Sequence, residues 1–275
     1  MRDDIDGLRR ELEQLIAGYG SVVVGFSAGV DSSVVAAAAH AALGDRALAV
    51  TAVTETITPE DLELASGIAA MLGMRHETIS YNELKIPNYA ANPVDRCYFC
   101  KDALYTRLLS LAGERGLAAV LDGANADDAH DYRPGRRAAR EQGVRSPLLE
   151  LAIDKKMVRR LAGRYGLANH DKPSAPCLSS RVPYGTEITR DLLLRIESAE
   201  RGLRALGFRE LRVRHHGDLA RVEIPREEFP RAIAIAERID AVLREAGYRY
   251  GALDLRGFRS GSLNEVLTQI ELPSL

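Results

Sequence analysis

Tryptophan is missing from this 275-residue chain and aromatic residues make up only 5% of it, which leaves few flat side chains to stack nucleic-acid bases. The 37 basic and 39 acidic residues leave a net charge of −2, so nothing draws the chain as a whole to nucleic acid or acidic lipid. No apolar run approaches the roughly 18 residues of a membrane span. The opening Met1-Arg2-Asp3-Asp4-Ile5-Asp6 is charged, unlike a secretion signal, and the expectation is a cytoplasmic protein without a membrane partner. Three cysteines, an odd number, argue against a disulfide scaffold and toward metal or catalytic work in a reducing compartment. Lysine is scarce: only Lys85, Lys101, Lys155, Lys156 and Lys172 stand among the basic residues, and so broad an arginine bias carries no functional reading by itself. The remainder is ordinary for a soluble globular protein, 46% hydrophobic and 28% charged, with enough chain for one large domain or two modest ones.

The stretch Val22-Val23-Val24-Gly25-Phe26-Ser27-Ala28-Gly29-Val30-Asp31-Ser32-Ser33 organises the rest. A continuous β-branched run reads as a strand buried on both faces, and the Ala-rich Val34 to Leu43 reads as a helix closing at Gly44. The small-residue turn between them aims backbone N–H groups and a helix dipole at an anion, with phosphate the first expectation. No lysine lies in the loop, which excludes the Walker pattern, and two glycines rather than three exclude the dinucleotide fingerprint. A Gly-containing turn with no ligand is the plain alternative.

A leading amphipathic helix spans Asp6 to Tyr19, and strands follow at Ala47 to Val53, His76 to Tyr81 and Ala118 to Asp122. Between them, Thr58-Pro59-Glu60-Asp61 opens a helix to about Gly73, and Lys101 to Gly116 forms another. Strands alternating with helices imply an α/β fold with a parallel sheet, whose ligands bind at the carboxyl ends of the strands. Asp154 to Gly166 is helical and Leu167 to Thr186 is a long irregular segment. Then come a helix capped by Thr189 and ended by Gly207, strands at Leu211 to His215 and Leu219 to Ile224, a helix from Arg226 to Gly247 and a strand at Tyr250 to Leu255. That run is a smaller α+β unit, so the expected domains are 1–183 and 184–275.

Cys97-Tyr98-Phe99-Cys100 puts two thiols one turn apart just before a helix, a spacing shared by metal sites and redox pairs. Cys177 is the third. Three thiolates on Zn²⁺ leave room for a fourth ligand such as His or water, and on a four-iron cluster they leave one iron open. Asp122-Gly123-Ala124-Asn125-Ala126-Asp127-Asp128 follows the fourth strand, where carboxylates could hold Mg²⁺ between phosphates, or one Asp could cap the next helix. Arg133 to Arg137 is a basic run beside it. Arg212 and Arg214 alternate along a strand and share one face, an arrangement suited to gripping a phosphate.

Ser27 to Ser32 resembles the PP-loop of ATP pyrophosphatases, with Ala28 standing where the usual motif has its first glycine, a position serving a φ > 0 backbone. Together with Asp122 to Asp128, Arg133-Pro-Gly135, Arg145-Ser-Pro-Leu148, Lys172-Pro173, Cys177 to Gly185, Arg212 to Glu223 and Leu255 to Gly261, nearly the whole chain resembles the LarE family. Its members are ATP-dependent sulfur transferases that make the nickel-pincer nucleotide cofactor of lactate racemase. The resemblance implies a PP-loop domain followed by a small domain for substrate binding or oligomerisation, homo-oligomeric assembly, and a pyridinium mononucleotide substrate whose carboxylate is adenylated and then converted to a thiocarboxylate. It implies nucleotide contacts at Ser27, Gly29, Asp31, Ser32, Gly123 and Asn125, with Asp31 and Asp128 acting in catalysis and Mg²⁺ accompanying ATP. Substrate contacts fall to Arg212, Arg214, Ser180 and Arg181, with Glu200 a metal or substrate contact and Glu197 one helical turn away. In single-cysteine members the equivalent of Cys177 gives up its own sulfur. This chain also has Cys97 and Cys100 and so is similar to the three-cysteine members, in which a [4Fe-4S] cluster holds sulfide supplied by a donor. An open cluster uses all three thiols, whereas a sacrificial cysteine gives two of them no role. The rival readings are a PP-loop tRNA thiolase, an amide-forming synthetase and a non-catalytic nucleotide-binding module.

Overall fold

The computed structural model describes residues 4–130, 134–173, 176–259 and 261–269; Arg133 and Ser260 of the motifs above lie outside the described residues. The chain divides into two compact units, Met1–Tyr89 with Val94–Ala175, and Ala90–Pro93 with Pro176–Leu275. The second unit thus begins ahead of the boundary expected at residue 183, and hydrogen bonds explain why. Arg181 reaches Glu200, Arg214 reaches the carbonyl of Ser180, and the buried Asn92 donates to the carbonyls of Val182 and Pro183. These bonds tie 90–93 and 176–183 to the smaller unit.

In the first unit, α1 (Ile5–Ala17) is capped by Asp4, whose carboxylate accepts the Gly7 N–H at 2.8 Å. It buries Leu8, Leu12 and Ile16, the stripe its spacing dictates. Then come β1 (Val22–Gly25), α2 (Val30–Leu43), β2 (Ala47–Val53), α3 (Pro59–Leu72), β3 (Arg75–Ser80), α4 (Arg96–Arg115) and β4 (Ala119–Leu121), followed by α5 (Pro134–Glu141), α6 (Pro147–Glu150) and α7 (Lys155–Arg164). The sheet runs β3-β2-β1-β4 with every neighbouring pair parallel. Alternation along β1 divides the core: Val22 and Val24 pack with Leu12, Val34 and Leu161 on one face. Val23 packs with Tyr105, Leu108 and Ala112 of α4 on the other.

Two helix starts differ from expectation. Helix α2 begins at Val30, so Asp31, Ser32 and Ser33 lie inside its first turn. Helix α4 begins at Arg96, so Cys97 and Cys100 lie within it rather than ahead of it. No proline or glycine separates Asp95 from Lys101, and nothing stops the helix from extending back to the N-cap Asp95.

The second unit holds α8 (Arg190–Ala205), β5 (Arg212–His216), β6 (Leu219–Glu223), α9 (Phe229–Ala234), α10 (Ala236–Glu245) and β7 (Tyr250–Leu253). The single helix expected over 226–247 is two, preceded by a 3₁₀ turn at Arg226–Glu228. Pro230 sits at the start of α9, and Ile235 leaves the helical region at φ −117°. Strands β5 and β6 are antiparallel, β6 and β7 parallel. Ala199 and Leu203 of α8, Val213, Val222 and Leu243 form its core. Among the described residues no helix is long and apolar enough to cross a membrane.

Candidate functional site

The loop after β1 is braced before it turns. The Phe26 N–H donates to the Val50 carbonyl at 2.8 Å, and the Thr51 hydroxyl donates to the Phe26 carbonyl at 2.7 Å. His76 Nε2 lies 2.8 Å from that same hydroxyl, and burial holds the imidazole below its ordinary pKa, hence neutral. Ala28 then takes the left-handed conformation, φ +54°, and is fully buried. The backbone geometry of the usual glycine is therefore kept without the glycine. Ser32 closes the turn: its hydroxyl donates to the Gly29 carbonyl (3.0 Å), accepts the Ser27 N–H (3.2 Å) and lies 3.2 Å from the Ser27 hydroxyl. Ser27, Gly29 and Ser32 thus form one compact turn at the positive end of α2.

The loop after β4 comes up beside it. A Cβ on Gly123 would lie 2.8 Å from the Ser32 backbone nitrogen and 3.1 Å from the Asp31 carbonyl carbon, so only glycine permits this approach. Asp122 is fixed by Tyr105, Ser146 and the Ala124 N–H, at 2.8, 2.7 and 3.1 Å. Asn125 links the two loops: its side chain donates to Asp31 at 3.1 Å, and its N–H donates to Asp128 at 3.0 Å. Asp127 accepts the Lys155 N–H at 3.0 Å, so both Asp127 and Asp128 take backbone N–H groups as capping residues do. The Lys155 ammonium makes an ion pair with Asp31. Arg136 donates to the Asp128 carbonyl at 3.0 Å.

Two neighbours of this site, Lys155 and Asn169, stand in none of the motifs above, and Lys172 enters there only through the family resemblance. Besides Lys155, Asn169 donates to both the Ala28 carbonyl (2.9 Å) and the Ser33 hydroxyl (2.8 Å), and Lys172 bonds Asp61 at 2.7 Å and the Ala28 carbonyl at 3.4 Å. The available signal was scarcity. Two of only five lysines in an arginine-rich chain sit here, where a compact point charge serves better than a fork.

Cys97 is exposed and Cys100 half-buried, three positions apart and hence on one side of the first turn of α4. The Cys100 thiol donates to buried Glu83 at 3.1 Å, and the same carboxylate accepts hydroxyls from Thr56 and Tyr89 at 2.7 and 3.3 Å. Cys177, in the second unit, is exposed and precedes the 3₁₀ turn Leu178–Arg181. Among the described residues no group of three or more His, Cys, Asp and Glu side chains is gathered to hold a metal ion.

The second unit carries a buried charge network. Glu200 is fully buried, accepts Arg181 through both oxygens at 2.8 and 3.1 Å, and also accepts Arg204 (2.9 Å) and the Val213 N–H (3.1 Å). Burial pushes this carboxyl up, but those donors outweigh it and hold it below the ordinary range. Both Glu200 oxygens, expected to meet metal or substrate, are thus already taken by protein donors, while Glu197 is half-buried. Arg181 also donates to the Cys177 carbonyl and the Ser180 hydroxyl, at 3.2 and 3.0 Å. Arg214 pairs with Glu223 through two 3.0 Å bonds and reaches the Ser180 carbonyl and the Ser262 hydroxyl, both at 2.6 Å. Arg212 differs. It is 3% exposed, stacks on Phe258 and donates to the Arg259 carbonyl at 3.1 Å, and among the described residues no carboxylate lies within ion-pair distance of it. Burial, and then repulsion from Arg214 and Arg181, pull its pKa down to about 10.

A parallel α/β sheet carrying a Ser-x-Gly-x-Asp-Ser turn and an acidic second loop at its carboxyl edge defines a PP-loop ATP-using enzyme. The NAD synthase family matches residues 1–92. Over 252 residues, 91% of each chain, the sequence is 40% identical to the pyridinium-3,5-bisthiocarboxylic acid mononucleotide synthase of Lactiplantibacillus plantarum. It is also 46% identical over 268 residues, 95% of this chain and all of the other, to an uncharacterized protein of Synechocystis sp.. A third relative, an uncharacterized protein of Methanocaldococcus jannaschii, is 26% identical over 87% of this chain and 91% of its own. The chain belongs to the LarE family of ATP-dependent sulfurtransferases.

Proposed function

We propose that the chain converts a carboxylate of a pyridinium mononucleotide to a thiocarboxylate in nickel-pincer nucleotide biosynthesis. The substrate carboxylate attacks the α-phosphorus of ATP at the Ser27–Ser33 loop and expels pyrophosphate. A sulfur nucleophile then adds to the acyl carbon, and AMP leaves with the bonding pair. The observation that carries this reading is Arg212, a buried guanidinium without a carboxylate beside two arginines that have theirs. A desolvated surplus cation calls for an anion, and the substrate phosphate supplies one, with Arg214, Arg181 and Ser180 shaping its surroundings.

Mg²⁺ takes one or two protein carboxylates plus substrate phosphates. Asp31 and Asp128, linked through Asn125, fit that requirement and would act as its protein ligands. The [4Fe-4S] reading rests on the number of thiols: Cys97, Cys100 and Cys177 would supply three ligands and leave one iron open. When bound, such a cluster supplies a site from which sulfide from a donor can be transferred. Arg181, through its bond to the Cys177 carbonyl, holds the third thiol's backbone.

The test supplies ATP, Mg²⁺, sulfide and the pyridinium dicarboxylate mononucleotide to anaerobically reconstituted protein. Stoichiometric AMP, pyrophosphate and sulfur-for-oxygen exchange in the product are expected, along with iron, labile sulfide and visible absorbance that each single cysteine variant abolishes. A colourless protein that turns over once and loses H₂S mass at Cys177 would replace the cluster by sacrificial transfer. Bound ATP without pyrophosphate release on adding substrate would refute the enzymatic reading.

A further inference from the structure

Ala28 occupies a backbone conformation that disfavours every residue with a Cβ. At φ +54° its methyl crowds the following carbonyl. Something outside the loop must hold it there, and the chain supplies a fixed device. Gly166 ends the α7 region at φ +68°, and the turn that follows, Leu167 to Lys172, is anchored by Arg159. This arginine donates to the carbonyls of His170 and Lys172, each at 3.1 Å, while Leu167 is buried in the core. From that turn Asn169, itself 3% exposed, spends both amide hydrogens on the loop, one on the Ala28 carbonyl and one on the Ser33 hydroxyl. Lys172 adds a longer bond to the same carbonyl. Among the described residues the Asn169 side-chain oxygen has no partner although it is buried. A buried unpaired oxygen costs stability, so Asn169 is not there for its own bonding balance. Its arrangement makes sense as a clasp on the loop.

We infer that Asn169, supported by Lys172, is a positioning residue that holds the Ser27–Ser33 turn in its ATP-binding form and substitutes for the glycine that would adopt Ala28's conformation unaided. The inference rests on the reading that this turn binds ATP. It predicts a dependence: the clasp matters while residue 28 is alanine and matters little once it is glycine.

The experiment uses the full chain in four forms: wild type, Ala28→Gly, Asn169→Ala and the double variant. Each is titrated calorimetrically with Mg²⁺ and α,β-methylene-ATP, and each is melted without nucleotide. Asn169→Ala is expected to weaken nucleotide binding about tenfold, the population shift that left-handed strain in an alanine implies. Whatever affinity Ala28→Gly has alone, the double variant should bind within about threefold of it. An equal loss from Asn169→Ala in both backgrounds, or a lowered melting temperature with unchanged affinity, overturns the inference. If Asn169→Ala does not fold, Asn169→Ser, too short to reach the carbonyl, takes its place in the cycle. A wild type that fails to bind the analogue refutes the ATP reading instead. In that case the melting cycle decides: the penalty of Asn169→Ala must be smaller in the Ala28→Gly background than in the wild type, and equal penalties overturn the clasp.

Discussion

Replacing Gly123 by alanine tests whether the loop after β4 is rigidly apposed to the start of α2. The added Cβ would lie 2.8 Å from the Ser32 nitrogen and 3.1 Å from both the Asp31 carbonyl carbon and the Ser32 Cα, where ordinary contact begins near 3.4 Å. All three obstacles are backbone, so no side chain can swing aside. The loops must separate by roughly half an ångström, and such overpacking costs about 1–3 kcal/mol. Separation strains the Asn125–Asp31 bond and tilts the first turn of α2. If the full cost falls on the binding-competent form, ATP affinity drops by about 5- to 150-fold. The control is Gly113→Ala on α4, where nothing lies within 4 Å of the added carbon. It should bind ATP normally and melt higher, since alanine in a helix interior gains about 0.5–1 kcal/mol over glycine. Calorimetric titration with ATP and thermal melts of the three proteins measure both effects. Wild-type affinity in Gly123→Ala would show that the two loops do not act as one surface.

The two strand arginines should separate in their effects. Arg214→Ala leaves fully buried Glu223 without its bidentate partner and should cost about 3–5 kcal/mol of stability. Arg212→Ala removes a cation with no carboxylate and should stay within about 1 kcal/mol of wild type, while weakening the pyridinium substrate and sparing ATP; similar melting losses in both variants would contradict this division. The histidines set a pH dependence. Burial holds His76 and His215 below 6.5, so each binds its proton more readily unfolded than folded. Stability fully present above pH 6.5 is therefore lost progressively as pH falls below 6.5 and through the lowered folded pKa. The thermal midpoint should decline from about pH 7.5 to about pH 5.5, and His76→Gln should flatten part of the decline. A midpoint that rises across this interval would oppose the assignment of neutral, buried imidazoles.

Much of the architecture was readable because its causes are local. Val22 to Val24 form a buried central strand, as a β-branched run does, and Thr58-Pro59 opens α3 where cap and proline require it, with Thr58 accepting the Asp61 N–H at 3.1 Å. Asp31 and Ser32 lie against Gly123 and Asn125 at the sheet's carboxyl edge, with Asp128 bonded to Asn125, an approach that follows from the topology. The start of α4 was less readable, because no proline or glycine stops the helix there and its N-cap Asp95 makes no side-chain capping bond. The unit boundary was misplaced because Asn92 and Arg181 bind partners far along the chain, and pattern near Pro183 does not show such bonds.

The sequence by itself determined the alternation of strands and helices, the turn at Ser27–Ser33 and the presence of three thiols. These follow from period, turn chemistry and residue identity, each legible over a few positions. Only the tertiary structure decided which charges are spent and which remain. Arg212 and Arg214 are two residues apart and read alike, yet Glu223 satisfies one and leaves the other as surplus charge. Lys155 meets Asp31 across 124 positions, and Asn169 meets Ala28 across 141. Partners at that separation are chosen by packing, because a buried polar group must find a mate in three dimensions and its neighbours in sequence do not say which.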